Sequence, residues 1–357
     1  MKTPMDTALP ARKAERGVAL LTAIILVALA AIVATGIVWQ STLSARRAIA
    51  VFTVAQSLAL AEGAEAMAGY ALRDNRHKNP QVVATNQTWA MPYGPIEIDH
   101  GAVLEAVLED ETGKFNLNSV VMAAAGTGVP GAPATSAPGA APTGVPGWTG
   151  PGALPAAPGG ALVQNPTSVA QLKALLRALD LDASFADRLV DWIDSDDQPI
   201  FPGGGEDSFY LAQEPAHRVP NLPLTSISEL LAMGMDRASY DRLAPFVTAL
   251  PPATKLNICT APGEVLDAIA GGQRSYAIDL KQLALQRQQN PCFPDMAGFM
   301  SGLGAAQKAG LNLGTTSTYF RLRTWITIGT TRFTLYSLLE QDQSGQTRPI
   351  LRTFGTE

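Results

Sequence analysis

At 357 residues the chain is long enough for one large or two modest domains, which excludes a need for metal or disulfide merely to fold. Hydrophobic residues make up 46% and charged residues 16%, a low charge share that one membrane segment plus a Gly/Pro/Ala-rich tract accounts for. With 26 basic and 31 acidic residues the net charge is -5, which argues against a phosphate-coating, nucleic-acid-binding surface. The acid is concentrated: from Asp180 to Glu214 ten carboxylates face the single Arg188.

Met1 to Gly17 carry Lys2, Arg12, Lys13 and Arg16 against Asp6 and Glu15, and Val18 to Ala45 then hold no charged side chain over 28 residues. About 20 apolar residues span a bilayer core. The basic excess before the segment orients the N-terminus to the cytoplasm and the bulk of the chain outside it. Ala28-Leu29-Ala30 admits the alternative of a cleaved secretory signal. Against it, no proline occurs until Pro80, and Leu43, Ile49, Phe52, Leu58, Leu60, Met67 and Leu72 continue at helical spacing among polar residues. A single helix from Val18 to Leu72 is therefore expected, about 80 Å long at 1.5 Å per residue.

The Arg16-Gly17 junction before Val18-Ala19-Leu20-Leu21-Thr22-Ala23-Ile24-Ile25-Leu26 resembles the class III leader that prepilin peptidase cuts after the glycine. The resemblance implies cleavage between Gly17 and Val18 and methylation of Val18. Pilins and most pseudopilins carry glutamate at the fifth mature position, which here is Thr22. A carboxylate in an apolar segment is costly unless paired, and its natural partner is the terminal ammonium of a neighbouring subunit. A subunit with Thr22 lacks that contact to the subunit above it, which marks Thr22 as a tip-specific position.

Beyond the helix, Pro92 to Ile98 and Ala102 to Leu108 read as short strands around a turn at Asp99-His100-Gly101, and Glu109 to Asn118 as a turn feeding a strand. Ala123 to Gly160 is dominated by Ala, Gly, Pro, Thr and Ser with Trp148 as its one aromatic residue, a composition that predicts a flexible linker. Ser168 with Gln171 and Ser226 with Glu229 fit the capping box. The helices that follow are expected at Val169 to Leu179, Phe185 to Ile193, Ile227 to Ala232 and Arg237 to Leu250. Lys114-Phe115-Asn116-Leu117-Asn118-Ser119 is echoed by Lys255-Leu256-Asn257-Ile258-Cys259-Thr260, two alternating segments able to pair with a domain inserted between them. Pro262 to Ala270 and Tyr276 to Gln288 read as helices, and Thr318 to Ile328, Arg332 to Leu339 and Pro349 to Phe354 as closing antiparallel strands.

Asp191 and Asp194 lie three apart at a helix end, Asp196 and Asp197 follow in its exit turn, and Glu206-Asp207 return after a Pro/Gly loop. So many carboxylates repel unless a cation joins them, and calcium takes six to eight oxygens in flexible geometry. A solvated acidic loop and a calcium site both fit. Asp194-Ser195-Asp196 begins like an EF-hand, but Gln198 and Pro199 break that pattern. Zinc lacks nearby Cys or enough His. Cys259 and Cys292 form a disulfide or stay free thiols; an oxidising compartment favours the bond, worth about 3 to 4 kcal/mol by chain entropy.

The three histidines, His77, His100 and His217, are widely separated, and neither a nucleophile elbow nor a P-loop occurs, so no enzyme is expected. Leu224 to Leu250 around Gly234 resembles the paired helices of helix-hairpin-helix and sterile-alpha-motif-like folds. It sits beside the most acidic part of the chain, which disfavours the alternative of a DNA-binding protein.

The order of these features resembles the minor pseudopilin K family of type II secretion. The residues carrying the match are the leader with Thr22, Asp110 to Asn118, Asp191-Trp192-Ile193-Asp194-Ser195-Asp196-Asp197, Gly203 to Tyr210, Leu256-Asn257-Ile258 with Ala261-Pro262, and Tyr319-Phe320-Arg321-Leu322. The resemblance implies an α+β fold: a pilin-like N-terminal helix packed on a small antiparallel sheet, with an inserted all-α, sterile-alpha-motif-like domain. It divides the chain into a leader (1–17), a transmembrane part (18–45), a first body part (46–120), the Gly/Pro/Ala-rich linker (121–162), an inserted helical domain (163–254) and a second body part (255–357). It further implies Ca2+ held by Asp194, Asp196, Asp197, Glu206 and Asp207 with Asp191 behind them. The implied partners are minor pseudopilins I and J, the major pseudopilin and prepilin peptidase, with no nucleic acid. Location would be the bacterial inner membrane, single-pass, with the bulk in the periplasm. The implied work is forming the tip complex that initiates or caps the pseudopilus; another envelope-anchored pilin-like assembly protein is the alternative.

Overall fold

The computed structural model describes residues 15–98, 101–123, 161–308 and 310–355. The leader up to Ala14, His100 and the tract from 124 to 160 lie outside the described residues, so the expectations placed on them are not addressed by the fold.

Helix α1 (Glu15–Lys78) runs unbroken, longer than expected at both ends, because no proline interrupts it. Its stretch to Ala59 forms a compact unit of its own. There Val18, Leu21, Ile25, Leu29, Ile32, Ile37 and Trp39 are exposed. The threonines do not spoil this apolar surface, since Thr22 Oγ1 donates to Ala19 O at 3.0 Å, Thr35 to Ala31 O and Thr42 to Val38 O, both at 2.7 Å. With a mean hydropathy of 2.8 over its most apolar window, the helix is long and apolar enough to cross a membrane.

The second unit runs from Leu60 to the C-terminus. In chain order its strands are β1 (Tyr93–Ile98), β2 (Ala102–Asp110), β3 (Phe115–Asn116), β4 (Val121–Ala123), β5 (Leu162–Gln164), β6 (Val247–Thr248), β7 (Leu256–Asn257), β8 (Leu313–Gly314), β9 (Tyr319–Ile328), β10 (Thr331–Gln341) and β11 (Thr347–Phe354). Its further helices are α2 (Pro166–Ala178), α3 (Phe185–Ile193), α4 (Asp207–Tyr210), α5 (Glu229–Ala232), α6 (Arg237–Leu243), α7 (Gly263–Ile269), α8 (Leu280–Gln289), α9 (Met296–Ser301) and α10 (Ala305–Lys308).

The main sheet has the order β1-β2-β9-β10-β11 with every neighbour antiparallel. Alternation puts Leu104, Ala106, Leu108, Phe320, Leu322, Ile326, Leu335 and Leu339 on one face, where Ala61, Ala64, Ala68 and Leu72 of α1 cover them together with Trp89. Three alanines at helical spacing let the backbones approach closely, and each buried Leu contributes about 1.5–3 kcal/mol. On the same helix face Glu65 is buried and accepts from Ser337 Oγ at 2.5 Å and from Arg352 at 2.9 and 2.5 Å, tying the helix to edge strand β11.

A second core joins the helical region to residues well beyond it. Leu172, Leu175, Leu189, Ile193 and Leu230 share it with Ile258, Val265, Leu266 and Phe299. The expected boundary at 254 thus does not separate two cores, because α2 packs on α7. Other expectations shift for local reasons. The cap of α2 is Asn165, whose Oδ1 accepts from Ser168 N, rather than Ser168. Ser226 and Glu229 make half of their capping box, Glu229 Oε1 accepting from Ser226 N at 3.2 Å. The helix expected to reach Leu250 stops at Leu243, where Pro245 forces a 3-10 turn. Helices α9 and α10 were not expected. The expected linker is narrower, since Val121–Ala123 and Leu162–Gln164 pair as an antiparallel ladder.

The two echoed segments do not pair with each other. Instead β3 pairs in parallel with β6, and β7 with β8. The echo is nevertheless real at the level of turns: Asn116 Oδ1 accepts from Asn118 N at 3.2 Å, and Asn257 Oδ1 from Cys259 N at 3.0 Å. Each asparagine then reaches far along the chain, Asn116 Nδ2 to Pro251 O at 2.9 Å and Asn257 Nδ2 to Val83 O at 2.9 Å.

Between these turns lie two buried carboxylates. Asp110 accepts from Thr112 N at 2.9 Å, from the hydroxyls of Thr112, Thr260 and Ser317 at 2.5 Å each, and from Asn257 Nδ2 at 3.1 Å. Burial pushes its carboxyl up in spite of these donors. Glu111 pairs with Lys114 at 2.6 Å and Arg321 at 3.2 Å. Burial alone would raise it, but the two cations win and hold it below the usual carboxylate range. Cys259, two residues past Asn257, is bonded to Cys292.

Candidate metal centre

Helix α3 delivers the first acids. Its apolar positions Phe185, Leu189, Val190 and Ile193 enter the second core, and this turns Asp191 and Asp194 inward as well, both buried. Asp194 caps the helix end in extended conformation, so the chain turns away through Ser195, Asp196 and Asp197, which are exposed. Ser195 fixes that turn: its N donates to Leu162 O at 3.2 Å and its Oγ accepts from Leu162 N at 2.9 Å.

Asp191 shapes the loop that brings Glu206 back. Its carboxylate accepts from Ile200 N at 3.0 Å and from Gly205 N at 2.8 Å. The loop passes so close that a Cβ at Gly204 would collide with Asp191 Oδ2 and with Ile200. Asp191 therefore clamps the loop backbone and is not a free ligand. Tyr210, fully buried, packs edge-on against Trp192 at 5.1 Å behind the cluster.

The result is a group of three. Asp194, Asp196 and Glu206 each offer an oxygen lying within 4.8 Å of the others. Asp194 Oδ1 and both Glu206 oxygens are buried without a hydrogen-bond partner. Burial first, then the neighbouring acids Asp196 and Asp191, pushes Asp194 up to about 7; burial, then Asp191 and Asp194, does the same to Glu206, also to about 7. Asp191 rises to about 6, chiefly through burial. Asp194 and Glu206 so placed repel each other and Asp196 and lack donors, while the exposed Asp196 accepts from Gln198 N at 2.9 Å; a divalent cation would relieve the repulsion.

Oxygens within 4.8 Å of one another leave room for a divalent cation between them: opposite oxygens lie roughly 4.6–5.2 Å apart around Ca2+ and about 4.2 Å apart around Mg2+. Of the six residues expected as ligands the structure gathers three. Asp207 is committed elsewhere, Oδ1 accepting from Val219 N at 3.1 Å and Oδ2 facing Arg218 at 3.5 Å. Asp197 is exposed and stands near Glu206 only as a neighbouring charge. The clamp by Asp191, Ile200, Gly204 and Gly205 was missed; the Gly203-Gly204-Gly205 run was its one signal in the sequence.

Comparison with known proteins places this geometry. The family model described as type II secretion system protein K matches residues 113–252. Type II secretion system protein K of Dickeya chrysanthemi is 31% identical over 84% of this chain and 84% of its own length. The chain belongs to the type II secretion system protein K family. It is a minor pseudopilin of that system. The protein K of Pseudomonas aeruginosa is 28% identical over 96% of this chain and 94% of its own length. The crystal structure of the GspK-GspI-GspJ complex from enterotoxigenic Escherichia coli contains a chain with a TM-score of 0.60 and 25% identity, covering 87% of this chain and all of that one. The region matched by the family model holds the whole acidic cluster, and the one helix among the described residues that is long and apolar enough to cross a membrane fits single-pass anchoring.

Proposed function

We propose that this protein K joins minor pseudopilins I and J in the tip complex that initiates or caps the pseudopilus. The observation that carries the reading is the likeness, over 87% of the chain, to a subunit of a solved K-I-J complex. Thr22 supports it: its hydroxyl is satisfied within its own helix and presents no charge to a subunit above. The chain sits in the inner membrane with its second unit in the periplasm, after prepilin peptidase cuts between Gly17 and Val18 and methylates Val18; the major pseudopilin follows it into the filament. Its work is assembly, with no catalytic step.

The acidic cluster is a calcium site with Asp194, Asp196 and Glu206 as carboxylate ligands, supported by the three orphaned buried oxygens. Its role is to hold the loop from Asp194 to Tyr210 in shape. Co-expression of the chain with the cognate I and J subunits tests the assembly: a stable 1:1:1 complex is expected, and chains that elute separately overturn it. N-terminal sequencing of the mature protein tests the processing, with Val18 expected first.

A further inference from the structure

A groove of about 810 Å3 opens in the second unit, with walls that include Met122, Leu162, Leu224, Leu250, Leu256 and Leu313. Among the described residues that line it, none is charged. A pocket of this size and apolar character is ligand-sized. Asn118 in its wall is already used by the fold: its Nδ2 donates to Leu224 O and to Leu250 O, both at 2.9 Å, and its Oδ1 accepts from Leu224 N at 2.7 Å. What remains open is an apolar trough.

Two of its walls are where the Pro/Ala/Gly-rich tract leaves and returns. Ala123 and Leu162 are paired partners in the β4–β5 ladder, and both line the groove. The 37 residues between Ala123 and Ala161 carry no charge. They set a branched aliphatic residue before proline three times, at Val129-Pro130, Val145-Pro146 and Leu154-Pro155, with Trp148 just beyond the second. Such a segment cannot build a core of its own. Anchored at both ends on the rim, it meets the groove at an effective concentration in the millimolar range, so modest affinity suffices. Proline lowers the entropy lost on docking, and Trp is among the residues that most often anchor a partner in a well-packed pocket.

We propose that this groove is the docking site of the chain's own segment 124–160, with Trp148 as the anchor. A free partner peptide would have to displace a tethered competitor of matching character.

The experiment uses the full chain in detergent. A photo-crosslinking benzoylphenylalanine in place of Trp148 is expected to couple within the same molecule to the peptides bearing Leu250 to Leu256 or Leu311 to Leu313. Coupling only to a second molecule, or to none of these peptides, overturns the proposal. A second measurement does not depend on that substitution. Replacing residues 125–160 with Asn-Gly closes the β4–β5 ladder as a tight hairpin, and the amides of Leu256 and Leu313 should then exchange about tenfold faster than in the full chain. Trp148→Ala should give part of that increase. Equal exchange in all three chains overturns it.

Discussion

The second unit buries two groups of acids, and they are built on opposite terms. Around Asp110 and Glu111 the partners are donors and cations: four hydroxyls, an amide, a backbone N–H, Lys114 and Arg321. Around Asp194 and Glu206 the neighbours are other acids, and three carboxylate oxygens have no partner at all. The first group is complete as folded and ties β2, the two asparagine turns and β9 into one unit. The second leaves buried oxygens that a proton or a cation would satisfy. A buried acid thus carries two meanings, and its partners tell them apart.

The difference is broken most violently at Glu111. Glu111→Ala takes from Arg321 and Lys114 their fully buried acid and leaves Lys114 with Glu109 at 3.6 Å, and a cost of about 3 kcal/mol in urea unfolding is expected, the low end for removing one member of a buried pair. Calcium should not restore it. In the other cluster the sign reverses. The double substitution Asp194→Asn with Glu206→Gln removes repulsion, so in chelator the variant should unfold at higher urea than the parent, by about 1 kcal/mol. The same variant should lose the thermal shift that calcium gives the parent. A variant weaker than the parent in chelator would falsify the unpaired reading of Asp194 and Glu206.

The pH dependence sharpens the contrast. Asp194 and Glu206 titrate near 7 in the metal-free fold but near 4 when unfolded. Between those values the native state holds more protons, so stability must fall as pH rises from about 4 to about 7, and level off above. Saturating calcium binds the deprotonated carboxylates and reverses the slope over the same range. Glu111, held below its ordinary value, contributes in the opposite sense: its share is present at neutral pH and is lost as the solution becomes acid. Thermal melts from pH 5 to pH 8, with chelator and with calcium, should therefore cross. Parallel curves would remove the cation from the account.

Much of the fold was legible because it obeys simple periods. The long helix follows from an uninterrupted apolar run, and β9 and β10 from alternation that the sheet keeps over most of their length; all three closing strands lie within two residues of their expected bounds. Helix α3 matches its expected bounds. What was not legible depends on long-range partners. The echo Phe115-Asn116 and Leu256-Asn257 marks two equivalent asparagine turns, but nothing local says that each strand pairs with a third segment. At the acidic site, spacing named six acids of which the fold brings three together, because whether a carboxylate faces the cluster or the backbone is decided by loop closure. Asp191 is taken by Ile200 and Gly205, and Asp207 by Val219, contacts nine to fourteen residues away that composition does not encode.

That last distinction gives the finest test, because Asp196 and Asp207 are both partly solvent-facing acids flanking the same loop. Asp196 has an oxygen within reach of Asp194 and Glu206, whereas Asp207 faces Val219 N and Arg218. If the cluster binds calcium through the three gathered carboxylates, Asp196→Asn removes one of the charges that hold the ion and should weaken calcium binding by about tenfold, a loss of roughly 1.4 kcal/mol. Asp207→Asn keeps an acceptor for Val219 N and gives up an exposed ion pair worth at most about 1 kcal/mol to folding, so its calcium affinity should match the parent within about twofold. Isothermal titration of the two variants at pH 7.5 separates them. Were Asp207→Asn the weaker binder, the loop would have to rearrange around the ion, and the clamp made by Asp191 would be the contact that gives way.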